Sequence, residues 1–226
     1  SNWLASFTKL AALGTIADVV PLRGENRVIA KLGLESLSQS RHTSGLRALL
    51  DSAGLLGEQL TSDHVAFRLA PRINAAGRMS TPDLATRLLL LTDDKRTTEA
   101  KQLAESLETE NVRRKREEAE ILSEARRKIE KDPAIGAHAI LVVWGNSWHR
   151  GVIGIVAAKL VDLFHRPAIV FAVDGNVAHG SGRSVSNFDL LSALEHFGEL
   201  FTRFGGHHHA AGMTMPVDNL KELRRR

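Results

Sequence analysis

Ala139-Ile140-Leu141-Val142-Val143-Trp144, then Val152 to Phe164, then Ala168-Ile169-Val170-Phe171-Ala172-Val173 is the stretch that decides the fold. Two continuous apolar runs of strand length flank a segment whose apolar residues recur at helical spacing. Strands that are apolar throughout are covered on both faces, and a helical crossover between them makes them parallel. The stretch therefore reads as a βαβ unit. Beyond it, Asp174-Gly175-Asn176 predicts a turn, Val177 to Gly180 an antiparallel strand, Phe188 to Phe197 a helix and Ala211 to Met215 a returning strand. Residues 134–226 thus form an α/β domain with a mixed sheet.

Working back from that domain, Asp132-Pro133 and Gly136 close a run from Thr98 to Lys131 that contains neither glycine nor proline. Ala100, Leu103, Ala104 and Leu107, and later Leu122, Ala125 and Ile129, keep helical spacing, whereas Val112 is almost the only apolar residue between Leu107 and Ala119. A helix of that length spans roughly 50 Å, and losing its apolar stripe midway predicts a solvated connector, 98–133, between two bodies. Its basic runs, Arg113 to Arg116 and Arg126 to Lys128, alternate with glutamates at pairing distance and read as a solvated face. Residues 1–97 are mostly helical. Asn26 precedes one helix, Thr43 and Ser44 cap another, Ser62 caps a third that Pro71 halts, and Thr81-Pro82-Asp83 starts a fourth.

Composition narrows the class. The 226 residues are 43% hydrophobic, enough for a packed core, and carry a net charge of +4, which permits an anionic partner without requiring one. With no cysteine there is neither a disulfide framework nor a thiolate metal site, and the longest apolar runs are far shorter than a membrane span. A reducing cytoplasm fits.

Two glycine-rich segments carry the chemistry: Gly180-Ser181-Gly182-Arg183-Ser184 and Phe204-Gly205-Gly206-His207-His208-His209-Ala210-Ala211-Gly212. Glycine lets backbone N–H groups approach a phosphate, and Arg183 and His207 add donors of suitable charge. Read separately, either segment is equally well a tight turn that needs glycine for its geometry. Neighbouring residues of the histidine triplet face opposite ways, so only His207 receives a role, and His208 and His209 read as packing or surface residues. No acid or cysteine joins the triplet at zinc-ligand spacing.

Together these segments resemble the motifs of the DHHA1 domain, the accessory domain of the DHH phosphoesterases. Trp148-His149-Arg150-Gly151-Val152-Ile153-Gly154-Ile155 is similar to a third signature of that domain. Ala12-Leu13-Gly14-Thr15-Ile16-Ala17-Asp18-Val19-Val20-Pro21-Leu22 and Pro71-Arg72-Ile73-Asn74-Ala75-Ala76-Gly77-Arg78 resemble the RecJ branch, the single-strand-specific 5′→3′ DNA exonucleases. The resemblance implies that residues 1–97 are the helical tail of a DHH catalytic domain and 134–226 a DHHA1 substrate-binding domain, cut short at its end. The Asp-x-Asp and Asp-His-His motifs of the catalytic domain do not occur here. The chain therefore reads as a fragment that supplies single-strand binding and is inactive alone.

Site roles follow from the same resemblance. Asp18, flanked by Ala17 and Val19-Val20, reads as a carboxylate in a mostly buried loop, and the family places that residue at a metal centre holding Mn²⁺ or Mg²⁺. From spacing alone Arg72, Asn74 and Arg78 occupy a surface loop between two helices, with arginines paired to acids. The resemblance makes them phosphate contacts for single-stranded DNA, laid in a groove between the two bodies. His149 is the anion contact of its motif, with Trp148 a core or lid side chain, and Ser181, Gly182, Arg183, Gly205, Gly206 and His207 complete the set. A single-strand-binding protein or a helicase is the kind of protein partner implied. The alternatives are an oligonucleotide or cyclic-dinucleotide phosphodiesterase of the same family and a non-catalytic nucleic-acid-binding module.

Overall fold

The computed structural model describes residues 2–39 and 41–226. The chain divides into two compact units, Ser1–Arg114 and Lys115–Arg226. Among its described residues the first unit is helical: α1 (Asn2–Ala17), α2 (Gly24–Leu37), α3 (Ser44–Ser52), α4 (Ser62–His64), α5 (Ala70–Met79), α6 (Asp83–Leu90) and the first half of α7 (Thr97–Lys131). Leu13, Leu37, Leu49, Leu50, Leu69, Leu88 and Leu107 meet in its core. The Thr43 hydroxyl accepts the Leu46 N–H at 3.4 Å to start α3, as expected. Asn26, expected outside a helix, lies within α2 and donates back to the Pro21 carbonyl at 3.3 Å.

Pro71 does not halt a helix. Thr61, one residue before the expected cap, starts α4 through a reciprocal hydroxyl and imidazole exchange with His64. The chain then continues through a π-helical turn, Val65–Leu69, in which Ala70 N–H bonds to Val65 O, directly into α5. Widening that turn relieves the clash between a proline ring and the carbonyl four residues before it. Pro71 enters at the start of α5, where its missing N–H is least disruptive. Arg72, Asn74 and Arg78 consequently lie on a helix and not in a loop.

The middle of α7 is exposed over most of its circumference, at Val112, Arg113, Lys115, Arg116, Ala119 and Glu120, yet a narrow buried line runs through it. Asn111 is fully buried and Glu118 is 7% exposed, so they continue the buried face between Leu107 and Ile121 with polar side chains. Arg114 donates to Asn111 Oδ1 at 3.1 Å, and Glu118 pairs with Lys159. A count of apolar letters misses a line of burial that runs through polar side chains. The basic runs do pair along the helix, as in Arg126 with Glu130 at 2.9 Å and Lys128 with Glu124 at 2.8 Å.

In the second unit, α8 (Pro133–Ala137) leads to β1 (Leu141–Asn146), α9 (Ile153–Phe164), β2 (Ala168–Asp174), β3 (Val177–Arg183), α10 (Leu190–Glu195), β4 (Arg203–His207), β5 (Ala210–Pro216) and α11 (Leu220–Arg225). The sheet order is β1-β2-β3-β5-β4, with β1 and β2 parallel and the other pairs antiparallel. The βαβ unit and the mixed sheet are as expected. Helix α10 is shorter than the expected 188–197 because the Asp189 carboxylate caps it, accepting the Ser192 N–H at 3.1 Å.

One sheet face packs Ile169, Phe171, Ala178, Met213 and Met215 against Leu190, Leu194, Leu220 and Leu223. The other is covered by α9 over β2 and β3, and Val143, Val170, Val156 and Leu160 are fully buried. The Gly180-to-Arg183 segment is strand, not a loop. Its alternation sends Gly180 and Gly182 into the core, where a Cβ would lie 2.6 Å from Met213 Cγ or 2.7 Å from Leu190 Cδ2. Among the described residues no helix is long and apolar enough to cross a membrane.

The first unit carries an acid-sensitive contact. Lys9 Nζ donates to the Arg41 carbonyl and lies 3.3 Å from His42 Nδ1. Burial first, then the charges of Lys9 and Arg47, lower the His42 pKa from 6.5 to about 4. Below pH 6.5 the unfolded chain takes up a proton that the folded imidazole refuses, so stability falls as pH drops through that window. Urea unfolding at neutral pH and about pH 5 should show a loss of about 1 to 2 kcal/mol in the native chain, scaled down for a half-exposed ring, that His42→Gln removes.

Candidate nucleic-acid interface

Strand register brings the two glycine segments together. Arg183 on β3 is opposite Ala210 on β5, which is opposite His207 on β4. Directly opposed residues share a face, so Arg183 and His207 stand on one side of the sheet, two strands and roughly 10 Å apart. The next rank on that side is Ser181, Gly212 and Gly205, and the one after it His179, Thr214 and Arg203. Helix α9 shields the β3 end of these ranks, while Gly212, Gly205, His207 and Arg203 are exposed. A Cβ on Gly205 or Gly212 would meet nothing within 4 Å. The uncovered half of the sheet is thus a bare backbone floor, edged by Ser181 and Arg183 on one side and His207 on the other.

The edges are held in place. Arg183 donates to Ser181 Oγ at 3.1 Å and to the Gly182 carbonyl at 2.8 Å. Gly154, in the first turn of α9, lets that helix come close: a Cβ there would lie 3.0 Å from Ser181 Oγ and 3.2 Å from an Arg183 guanidinium nitrogen. The positive end of the α9 dipole is therefore beside Arg183 and Ser181. His208 and His209 form the two-residue turn between β4 and β5, and their carbonyls accept the N–H groups of Leu190 and Ser184, both at 3.0 Å. Both side chains are exposed. The turn is thereby tied to the segment that follows Arg183. Gly206 makes the approach to the turn, with φ +152 and no room for a Cβ against the Ala210 carbonyl.

The remaining sequence candidates fall into three groups. His149, between β1 and α9, accepts the Gly151 N–H on Nδ1 at 3.1 Å, which leaves Nε2 as the ring's N–H donor. Trp148 is 7% exposed and donates its Nε1–H to Glu124 Oε2 at 2.8 Å, a wall position consistent with a core or lid side chain. Burial pushes the Glu124 carboxyl up, but hydrogen bonds from Lys128 and Trp148 outweigh it and hold the group below its ordinary value. Gly182 and Gly206 lie on the opposite face from Ser181, so the geometry gives them packing and hairpin roles.

In the first unit, Asn74 and Arg78 share an exposed face of α5 one turn apart. Arg72 is different: its side chain is 13% exposed, its Nε lies 2.6 Å from Glu108 Oε2, and it donates to the Arg68 carbonyl at 2.6 Å. Its guanidinium is committed to joining α5 to α7. Asp18 is exposed, not buried: its N–H ends α1 on the Gly14 carbonyl, and Val19, at φ 55, turns outward with 83% exposure. Apolar neighbours in sequence do not bury a residue where the chain turns at the surface. Among the described residues no three His, Asp or Glu side chains are grouped to hold a metal ion, so Asp18 alone does not make a metal site.

Sequence reading missed Gly212, Thr214, Arg203 and His179. The signal that could have found them is the period-2 alternation through Arg183 and His207, once both segments are taken as strands.

Residues 136–226 match the DHHA1 domain model. The single-stranded-DNA-specific exonuclease RecJ of Bacillus subtilis is 42% identical over 220 residues, covering 96% of this chain and 27% of that protein. The Escherichia coli RecJ is 36% identical over 233 residues, covering 99% of this chain and 39% of that protein. The crystal structure of RecJ in complex with Mg²⁺ from Thermus thermophilus superposes with a TM-score of 0.83 at 36% identity, over 98% of this chain and 33% of that one. A manganese-bound exonuclease RecJ gives 0.79. The fold and the matched residues thus define a DHHA1-type domain. The chain is similar to RecJ over nearly its whole length, and it spans between 27% and 39% of the length of these two curated relatives.

Gly205 and Gly206 should separate under substitution. Gly206→Ala is expected to lose about 2 kcal/mol in urea unfolding, because the methyl meets the Ala210 main chain at a strained φ. Gly205→Ala, whose methyl projects into open space, should stay within about 0.5 kcal/mol of the native chain.

Proposed function

We propose that this chain provides the strand-gripping part of a nuclease that removes nucleotides from single-stranded DNA in the 5′→3′ direction, in repair and recombination. The observation that carries the reading is the rank of Arg183, Ala210 and His207 beside the open Gly205 and Gly212 floor. Arg183, steadied by Ser181, presents a charged fork suited to phosphate, and the α9 N-terminus adds partial positive charge next to it. His207 supplies a donor from the other edge. The glycine floor between them lets a backbone approach without a side chain in its way. Contacts of this kind orient a strand without reading its sequence.

Asn74 and Arg78 are proposed as phosphate contacts of the first unit, and Arg72 as the residue that fixes their helix through Glu108. Relatives hold Mg²⁺ or Mn²⁺ in their crystal structures. Asp18 is the residue of this chain we assign to such a cation, as one oxygen donor, and the phosphate-binding roles stand without it.

Fluorescence anisotropy on the chain with labelled single-stranded DNA should give affinity that falls with added salt, as phosphate contacts require. Arg183→Ala and His207→Ala should each weaken binding by about 1 to 3 kcal/mol with little change in thermal stability, and His208→Ala should do much less. Unchanged affinity in both Arg183→Ala and His207→Ala, or a preference for duplex, would sink the proposal.

A further inference from the structure

A cleft lies at the carboxyl ends of β1 and β2 in the second unit. It encloses about 680 Å³, and its lining includes Asn146, Trp148, His149, Arg150, Asp174 and His179. Only His149 has a role so far. The volume suits a small organic ligand, and the carboxyl ends of parallel strands are where α/β sheets open such crevices.

The wall of the cleft is rigid. The Trp148 indole lies flat on Gly145, where a Cβ would run into the ring. Its Nε1–H is held by Glu124, and Lys128 Nζ stands 4.9 Å from the ring centroid. Lys128 in turn pairs with Glu124 at 2.8 Å and donates to the Trp144 carbonyl at 2.7 Å. Held by Glu124 at its nitrogen, by Gly145 against the ring and by Lys128 over it, the indole is a fixed wall of the cleft and not a lid.

The polar lining is of two kinds. Arg150 and the histidines supply donors, His149 with its Nε2 left over from the Gly151 contact. Asn146 and Asp174 supply acceptors, both exposed. A site for phosphate alone has no use for the Asp174 carboxylate, which repels an anion. A nucleotide matches both kinds, because its phosphate takes the donors while amino groups of the base take the acceptors.

His179 ties this cleft to the sheet floor. It stands on the same face of β3 as Ser181 and Arg183, roughly 13 Å along the strand from Arg183, and its rank continues through Thr214 to Arg203. Arg203 Nε is 3.4 Å from Thr214 Oγ1, which directs the guanidinium along that rank. A short length of single strand spans the distance.

We propose that the cleft is a second nucleotide subsite, holding a nucleotide of the same strand that Arg183 grips, with its phosphate on Arg150, His149 and His179 and its base on Asn146 and Asp174. The proposal rests on the reading of Arg183 and His207 as phosphate contacts.

Affinity measured against labelled oligodeoxyadenylates of increasing length tests it, with thermal unfolding run on each variant. In the native chain affinity should rise with length and then level off. Arg150→Ala and His179→Ala should bind the shortest oligonucleotides as the native chain does and lose roughly tenfold on the longest, at unchanged melting temperature. Arg183→Ala should be weak at every length. Native affinity at all lengths in both cleft variants, or equal loss at all lengths, overturns the subsite. Tight binding of dAMP alone that Arg150→Ala abolishes, with the length dependence unchanged, makes a free mononucleotide the occupant and also overturns it. If Arg183→Ala has no effect at any length, the phosphate site itself fails, an outcome separate from the others.

Discussion

Two main-chain hydrogen bonds, from Ser184 N–H to His209 O and from Leu190 N–H to His208 O, hold the candidate interface together. Without them the β4–β5 hairpin would be anchored by its ladder with β3 and by the core packing beneath it, and its turn would be untied. With them, its turn is tied to the residues immediately after Arg183, and the two ends of the rank become one rigid unit. The carbonyls of a two-residue turn usually bond to water. Here they lock a histidine-bearing edge to an arginine-bearing one, which is the geometry a phosphate chain needs.

Small residues shape the rest of that surface in three separate ways. Gly180 and Gly182 make room for Phe171, Met213 and Leu190 beneath the sheet. Gly154 lets α9 settle against Ser181 and Arg183 above it. Gly205 and Gly212 are required by neither core, and openness is what they leave behind. Substitutions at the first two groups act on packing, and those at the third act on whatever lies on the floor.

The first unit shows how polar groups are accommodated inside a helical body. Arg72 pairs with Glu108, Arg114 with Asn111, and Lys9 rests on the Arg41 carbonyl beside an imidazole that must remain neutral. Each is a desolvated group whose partner comes from another turn or another helix, and removing one partner leaves the other uncompensated. This is how α7 buries Asn111 on a face that lacks a continuous apolar stripe. It also explains why Arg72 and Arg78, six residues apart in one motif, differ: one faces α7 and the other faces out.

The sequence by itself determined the helical first unit, the long α7, the βαβ unit and the mixed sheet, because apolar periodicity, caps and turn residues act over a few neighbours. Its motifs also singled out Ser181, Arg183 and His207. Tertiary structure alone decided the rest. Whether Pro71 ends a helix depends on a π turn before it, and whether Asp18 is buried depends on how the chain leaves α1. Arg203, Thr214 and His179 join the interface only through strand register. These outcomes follow from pairing between segments far apart in the chain, and local propensity carries no record of which strand will lie beside which.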